Sequence, residues 1–229
     1  MSENIKKITK ALKVDLDNEK NQNIILKSSA RPFNHQAHQV NEVAKKIYKL
    51  IEGTKHSNDG IILNHNEIKE AFFSPFKPQL KNAQVFLSHS HADKNKALKV
   101  KGYLESKTNC RVFIDSLFWD YKNNVLKEIK KHHIDTSEIE DAFTLILRES
   151  LQDMIEKCPY FVFLQSSNSV SNQGLSHTTY SAWIYEELKN AHSISTIMTE
   201  SFQASYDISP FLESLETITL KELSQQINS

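Results

Sequence analysis

The chain has 229 residues, and 39% of them are hydrophobic, which is enough for one large domain or for one domain with an extension. Its 28 basic and 28 acidic residues give a formal net charge of zero, which argues against a nucleic-acid-binding protein. No apolar run approaches the ~20 residues of a membrane-spanning helix, and the polar N-terminus does not have the apolar region of a signal peptide. We therefore expect a cytoplasmic protein with neither a nucleic-acid nor a membrane partner.

The cysteines and glycines further restrict the classes of protein to which this chain can belong. Cys110 and Cys158 each lie beside an apolar, strand-like run, which predicts reduced thiols in the core rather than a disulfide. The chain has 4 glycines, and no two of them are close in sequence. A glycine-rich phosphate-binding loop is therefore not expected, and any nucleotide must be held in another way.

The N-terminal part, residues 1–82, is predicted to be an extension that packs on the rest of the chain. Residues 1–32 are polar and aperiodic, and they are expected to be loosely attached. Apolar residues at helical spacing predict a helix over 36–52, which Gly53 would end. The other elements expected here are a turn at 58–60, a strand at 61–63, a helix at 66–73 and a proline-containing linker that reaches a boundary near residue 82.

From residue 83 to residue 229 the patterns of strands and helices alternate. The predicted strands are 85–87, 110–114, 160–164, 194–198 and a trace at Ile218. The predicted helices are 94–107, 123–131, 138–157 and 181–192. This alternation indicates an α/β domain with a parallel sheet that has helices on both faces.

Polar residues follow three of these strands directly. They are Ser88-His89-Ser90-His91, Asp115-Ser116 and Gln165-Ser166-Ser167. Because ligands of parallel sheets bind beyond the carboxyl ends of the strands, we expect a functional site at this edge.

A zinc site is one candidate for the first of these segments. His89, His91 and Asp93 are chemically suitable zinc ligands, and their spacing resembles the metal loop of metallo-β-lactamase-type hydrolases. That loop requires a histidine where this chain has Lys94, and the glycines that follow it are missing. A polar loop lined by hydroxyls and imidazoles is preferred, and metal-dependent hydrolysis stays as an alternative.

A second candidate is the helix that begins after Ser181, a suitable N-cap. Trp183 and Glu187 are four residues apart and therefore share one face of this helix. Taken alone, the pattern also fits an ordinary helix with a buried tryptophan and a solvated glutamate.

Together, these segments resemble the TIR (Toll/interleukin-1 receptor) domain family. The resemblance rests on four segments in the family's order and at about its spacing: the first strand with Ser-His-Ser-x-x-Asp-Lys, Val-Phe-Ile-Asp, Phe-Val-Phe-Leu-Gln-Ser-Ser-Asn-Ser and Ser-x-Trp-x-x-x-Glu-Leu. It covers roughly residues 83–199, is strongest to bacterial TIR proteins and does not include residues 1–82. It implies a TIR domain at 83–229 with a flavodoxin-like parallel sheet flanked by helices, and an N-terminal helical extension.

The resemblance also implies an activity. Many bacterial TIR domains cleave the nicotinamide–ribose bond of NAD⁺, so NAD⁺ would be the substrate and no cofactor is expected. The family's catalytic glutamate falls on Glu187. The product would be ADP-ribose, or a cyclic or conjugated ADP-ribose signal, made in bacterial anti-phage defence. Homo-oligomers formed through TIR–TIR contacts and a downstream effector that senses the product are the expected partners.

The same resemblance implies which residues contact the substrate: Ser88, His89, Ser90, Asp93, Asp115, Trp119 and Trp183. Among the loop residues, Ser88, Ser90 and Asp93 are expected to matter more than His89 and His91. Residues 118–121 fall where the family has a mobile flap. The alternative function within the family is a non-catalytic module that only mediates TIR–TIR interactions.

Overall fold

The computed structural model describes residues 10–31, 36–54, 64–74, 82–132, 137–173, 176–192 and 205–229. The chain forms two compact units. The first combines Met1–Pro32, Asn82–Asp115 and Leu151–Ser229, and the second combines Phe33–Lys81 and Ser116–Ser150. The boundary expected near residue 82 coincides with one junction between the two units. The first unit also contains residues from before this boundary, up to Pro32.

The elements alternate through the described residues. The strands are β1 (Lys10–Asp15), β2 (Ala83–His89), β3 (Arg111–Ile114), β4 (Tyr160–Gln165), β5 (Ser171–Gln173), β6 (Ser176–Thr179), β7 (Tyr206–Asp207) and β8 (Glu216–Thr217). The helices are α1 (Glu19–Lys27), α2 (Gln36–Thr54), α3 (His65–Phe73), α4 (Lys94–Lys107), α5 (Ser116–Lys130), α6 (Ser137–Lys157), α7 (Ala182–Ala191), α8 (Ser209–Ser214) and α9 (Leu220–Asn228). None of the helices in these ranges is long and apolar enough to cross a membrane.

The first unit is built on a five-stranded sheet in the order β3-β2-β4-β1-β8. All neighbouring strands in it are parallel. Its centre is aromatic, since the ring of Phe86 lies 5.3 Å from that of Phe113 and 5.8 Å from that of Phe161. The expected α/β class, with a flavodoxin-like parallel sheet flanked by helices, is confirmed.

Strand β1 corrects the expectation that residues 1–32 are loosely attached. It lies inside the sheet, paired with β4 on one side and with β8 on the other. Leu12, Val14 and Leu16 are fully buried and alternate with Lys13 and Asp15. This is the period-two pattern of a strand, which the high lysine and aspartate content of the segment conceals.

Helix α4 lies against β2 and β3 and packs with α1 and α9. Its Gly102 permits the close approach of the chain that follows α1, because a Cβ atom at this position would collide with the carbonyl oxygen of Ser29. Helix α9 begins with a capping box, in which Thr219 and Glu222 satisfy each other's backbone amides. The predicted bounds of α4 agree with the structure, and the expected fifth strand is β8, which ends immediately before Ile218.

The sequence did not indicate a small antiparallel sheet of β5, β6 and β7, of which β6 leads into helix α7. The Thr179 hydroxyl oxygen accepts a hydrogen bond from the Ser181 backbone amide. The Ser181 hydroxyl oxygen in turn accepts one from the Ile184 amide, which confirms Ser181 as the N-cap. The strand predicted at 194–198 lies outside the described residues.

The second unit is helical, and its core surrounds Phe72. The Phe72 ring contacts the rings of Tyr121 and Phe143 at 5.1 and 5.0 Å. Helix α2 continues past Gly53 to Thr54, and α5 begins at Ser116 rather than near residue 123. The expected flap loop at 118–121 is therefore wrong, because these residues are helical. The turn, strand and linker predicted at 58–63 and 75–80 lie outside the described residues.

Candidate active site

Four buried polar residues meet in the first unit at the carboxyl ends of β2 and β3. Ser88 and His89 end β2, Asp115 directly follows β3, and Glu187 comes from α7, which packs against β2. Their exposed fractions are 0%, 4%, 6% and 2%. Because burying polar groups is costly unless they interact, this grouping requires an explanation beyond packing. The structure thus brings together four of the residues that the sequence analysis names.

Ser88 and Glu187 form the closest contact of the group. The Ser88 hydroxyl donates a hydrogen bond of 2.5 Å to Glu187 Oε2. Since both side chains are buried, water does not compete for this bond. Ser88 therefore holds the carboxyl group of Glu187 in one orientation.

The second partner of Glu187 is another acid, Asp115. Burial raises the pKa of Glu187 well above its ordinary range, and the charge of Asp115 raises it further. The hydrogen bond from Ser88 opposes this shift, while a hydrogen bond with Asp115 adds to it. Glu187 therefore favours its protonated form beside Asp115.

Two oxygens of this acid pair are notable. Within the described residues, Glu187 Oε1 and Asp115 Oδ1 have no hydrogen-bond partner when both groups are treated as charged acceptors. A proton on Glu187 gives the pair a donor and relieves this in part. The pair thus keeps an unsatisfied capacity for hydrogen bonding at the carboxyl edge of the sheet.

His89 lies on the other side of Asp115. Its Nδ1 atom is 3.2 Å from Asp115 Oδ1, with a geometry outside that of a good hydrogen bond. Its Nε2 atom is buried and has no hydrogen-bond partner in the described part of the chain. The sequence ranks His89 below its neighbours, yet the structure gives it a direct contact with Asp115.

Asp93 has different surroundings. Its carboxylate accepts hydrogen bonds from the Ser166 hydroxyl at 2.5 Å and from the Asn168 amide at 3.0 Å. The Lys96 ammonium lies 3.3 Å away. Through these hydrogen bonds Asp93 links the loop after β2 to the loop after β4. Ser166 and Asn168 follow the third predicted strand, but their partnership with Asp93 could not be read from the sequence.

Three candidate residues remain, Ser90, Trp183 and Trp119. Ser90 is half-buried and precedes a 3₁₀ turn over His91–Asp93, without capping it through its side chain. Trp183 is half-buried and lies one turn before Glu187 on α7. Trp119 belongs to the second unit, on α5, where the Lys122 ammonium lies 5.4 Å from its ring.

The zinc arrangement is not formed. His89 faces Asp115, Asp93 faces Ser166, and His91 is exposed, so the three side chains do not converge. Among the described residues, no group of three or more histidine, cysteine, aspartate or glutamate side chains is placed to hold a metal ion. Cys110 and Cys158 are both free and buried, as the sequence predicts.

Comparison with known proteins gives one informative similarity. The chain is 25% identical over 175 residues to the probable 3′ cyclic ADP-D-ribose synthase ThsB′ of Bacillus cereus (strain MSX-D12). The match covers 75% of this chain and 77% of that protein. No protein-family model and no solved structure matches the chain.

Proposed function

We propose that the protein cleaves the nicotinamide–ribose bond of NAD⁺, with Glu187 as the catalytic residue. The observation that carries this proposal is the buried contact between Ser88 and Glu187, beside a second acid, at the carboxyl edge of a parallel sheet. The similarity to a probable cyclic ADP-ribose synthase supports the same reaction. In this proposal NAD⁺ is the substrate, and no further cofactor takes part.

The chemistry suits a single oriented carboxylate. Nicotinamide leaves NAD⁺ as a neutral molecule, so no acid has to protonate it. The ribose develops oxocarbenium character in the transition state, as in glycoside cleavage. An ionised Glu187 beside C1′ would stabilise this charge, and Ser88 would keep its carboxylate aligned.

The raised pKa of Glu187 fits this role. Without substrate, Glu187 favours its protonated form. The positive charge of a bound NAD⁺ pyridinium ring would lower the pKa of Glu187 and favour its ionised form. Substrate binding and activation of the carboxylate would then be coupled.

The other candidate residues would form the binding surface. Ser90 would contact the ribose or the pyrophosphate, Asp115 would face a ribose hydroxyl, and Trp183 would stack on nicotinamide or ribose. Asp93 would support the loop after β2 through its bonds to Ser166 and Asn168.

A cyclic ADP-ribose is the product that the similarity to ThsB′ favours, with free or conjugated ADP-ribose as the other outcomes. We further propose a bacterial, cytoplasmic signalling role in anti-phage defence. Self-association through TIR–TIR contacts would precede catalysis, and an effector would sense the product.

Product analysis tests this proposal. The purified protein is incubated with NAD⁺ over a range of protein concentrations, and the products are identified by mass spectrometry. We expect nicotinamide together with a cyclic ADP-ribose. Intact NAD⁺ at every concentration, including concentrations at which the protein self-associates, would reject the enzyme and favour an interaction module.

A further inference from the structure

We propose that His89 is the general base of this site, and that its Nε2 atom takes the proton from the hydroxyl group that attacks ribose C1′. Asp115 is the residue that orients it. This inference rests on the proposed NAD⁺ cleavage and assigns a second catalytic residue to it. The acceptor hydroxyl belongs either to a water molecule or to the adenosine ribose of the same NAD⁺ molecule.

The first argument is the placement of the ring. His89 Nδ1 lies 3.2 Å from Asp115 Oδ1, and both side chains are buried. A carboxylate at Nδ1 favours the tautomer with its proton on that atom, which leaves Nε2 as a proton acceptor. A small rotation of the ring would improve the hydrogen bond, as often happens when a catalytic site binds its ligand.

The second argument is the state of Nε2 itself. The side chain of His89 is only 1% exposed, and Nε2 has no hydrogen-bond partner among the described residues. A purely structural buried histidine would have both ring nitrogens satisfied. A substrate hydroxyl that donates to Nε2 would supply the missing partner.

The third argument is that the other groups are already committed. Oε2 of Glu187 accepts the Ser88 hydrogen bond, and the carboxylate is needed for the charge that develops on the ribose. Asp115 lies between Glu187 and His89 and interacts with both. Asp115 and Glu187 are the titratable groups that face His89 in this cluster, and neither is positioned as a separate base.

The proposed step balances as follows. The bond between ribose C1′ and the nicotinamide nitrogen breaks, and nicotinamide leaves with the bonding electron pair. The hydroxyl oxygen of the acceptor forms a new bond to C1′, and its proton moves to His89 Nε2. The proton then passes to solvent, so NAD⁺ and an alcohol or water give nicotinamide, an ADP-ribosyl product and one proton.

The test compares two kinds of acceptor. A hydroxyl must lose a proton when it attacks, whereas the ring nitrogen of a neutral pyridine such as 3-acetylpyridine carries no proton to remove. Transfer to 3-acetylpyridine therefore requires bond cleavage by Glu187 but no general base. Both reactions are measured for the wild type, for His89→Asn and for His89→Gln, with His65→Asn as a surface control that loses only a partly exposed contact with Glu149.

We expect His89→Asn to lower hydroxyl-dependent turnover by about 100-fold or more while pyridine exchange is retained, because general bases contribute about 10²- to 10⁴-fold. The asparagine amide can still donate to Asp115, which preserves the structural contact. The His89→Gln variant places its amide near the position of Nε2. It serves as a second test if the asparagine variant loses the local structure around residue 89. His65→Asn should leave both reactions unchanged.

Two results would overturn the assignment. Equal losses of pyridine exchange and hydroxyl transfer in both His89 variants would make His89 a structural residue. Unchanged turnover in both variants would make it dispensable. If the wild type catalyses neither reaction, the proposed NAD⁺ cleavage itself fails, so the two failures can be told apart.

Discussion

The Ser88 hydroxyl donates a 2.5 Å hydrogen bond to the Glu187 carboxylate, although the two residues are 99 positions apart in the sequence. The bond joins the end of strand β2 to helix α7 and fixes the one acid to which the proposed chemistry assigns the reaction. It also opposes burial and the charge of Asp115, the two largest effects that raise the pKa of Glu187.

Replacing Ser88 by alanine should therefore change how activity depends on pH. Without the hydroxyl donor, the pKa of Glu187 rises further, and less of the carboxylate is ionised at neutral pH. We expect the rising limb of kcat/KM against pH to move to higher pH, with reduced activity at neutral pH. A pH–rate profile of Ser88→Ala beside the wild type measures this, and an unmoved limb would show that the bond does not tune Glu187.

The variant Glu187→Gln should be more stable than the wild type at neutral and alkaline pH. Between the ordinary glutamate pKa of about 4.3 and the raised native one, the native state keeps a proton that the unfolded state has lost, so wild-type stability falls as pH rises. Glutamine cannot ionise and does not incur this loss. The difference in Tm between variant and wild type should grow as the pH rises above the ordinary glutamate pKa of about 4.3. A constant or shrinking difference would contradict the buried, protonated state of Glu187.

Truncating Leu12 should show that the N-terminal strand is part of the sheet. Leu12→Ala removes a side chain that is only 1% exposed, and it should lower the free energy of unfolding by about 2 to 5 kcal/mol. Leu26→Ala, at a position 74% exposed in the same N-terminal segment, is the matched control and should change it by less than about 0.5 kcal/mol. Chemical denaturation measures both, and equal effects would mean that β1 contributes little to the fold.

Asp93→Ala should destabilise the loop after β2. It removes the acceptor for the Ser166 hydroxyl and the Asn168 amide, and it should cost about 2 to 4 kcal/mol of unfolding free energy. Asp141→Ala, at an exposed helical position, is the control. If Asp93→Ala unfolds like the wild type but loses NAD⁺ affinity, Asp93 contacts the substrate instead of supporting the loop.

Much of the candidate site was predictable from the sequence because most of its residues lie at the ends of strands. Ser88, His89 and Asp115 each come at the end of a short apolar run, and parallel strands bring such ends to one edge. Glu187 follows from helical spacing and from the family resemblance. The bounds of helix α4 were also predictable, because its apolar residues fall at helical spacing and a predicted strand lies on either side of it in the sequence.

The remaining features depend on contacts between distant segments. Strand β1 carries as many lysines and aspartates as apolar residues over 10–17, and only its pairing with β4 and β8 stabilises it as a strand. The importance of His89 comes from its distance to Asp115, a residue 26 positions further along the chain. Composition predicts neither, because long-range pairing overrides local preference.

The most direct test of the account is the release of nicotinamide from NAD⁺ by the wild type and by Glu187→Gln, measured at equal protein concentration and with thermal unfolding as a check on folding. We expect steady release by the wild type and a loss of about 10²- to 10³-fold in the folded variant, since it removes the charge that stabilises the transition state. Release that persists in Glu187→Gln, or a folded, self-associated wild type that leaves NAD⁺ intact, would contradict it.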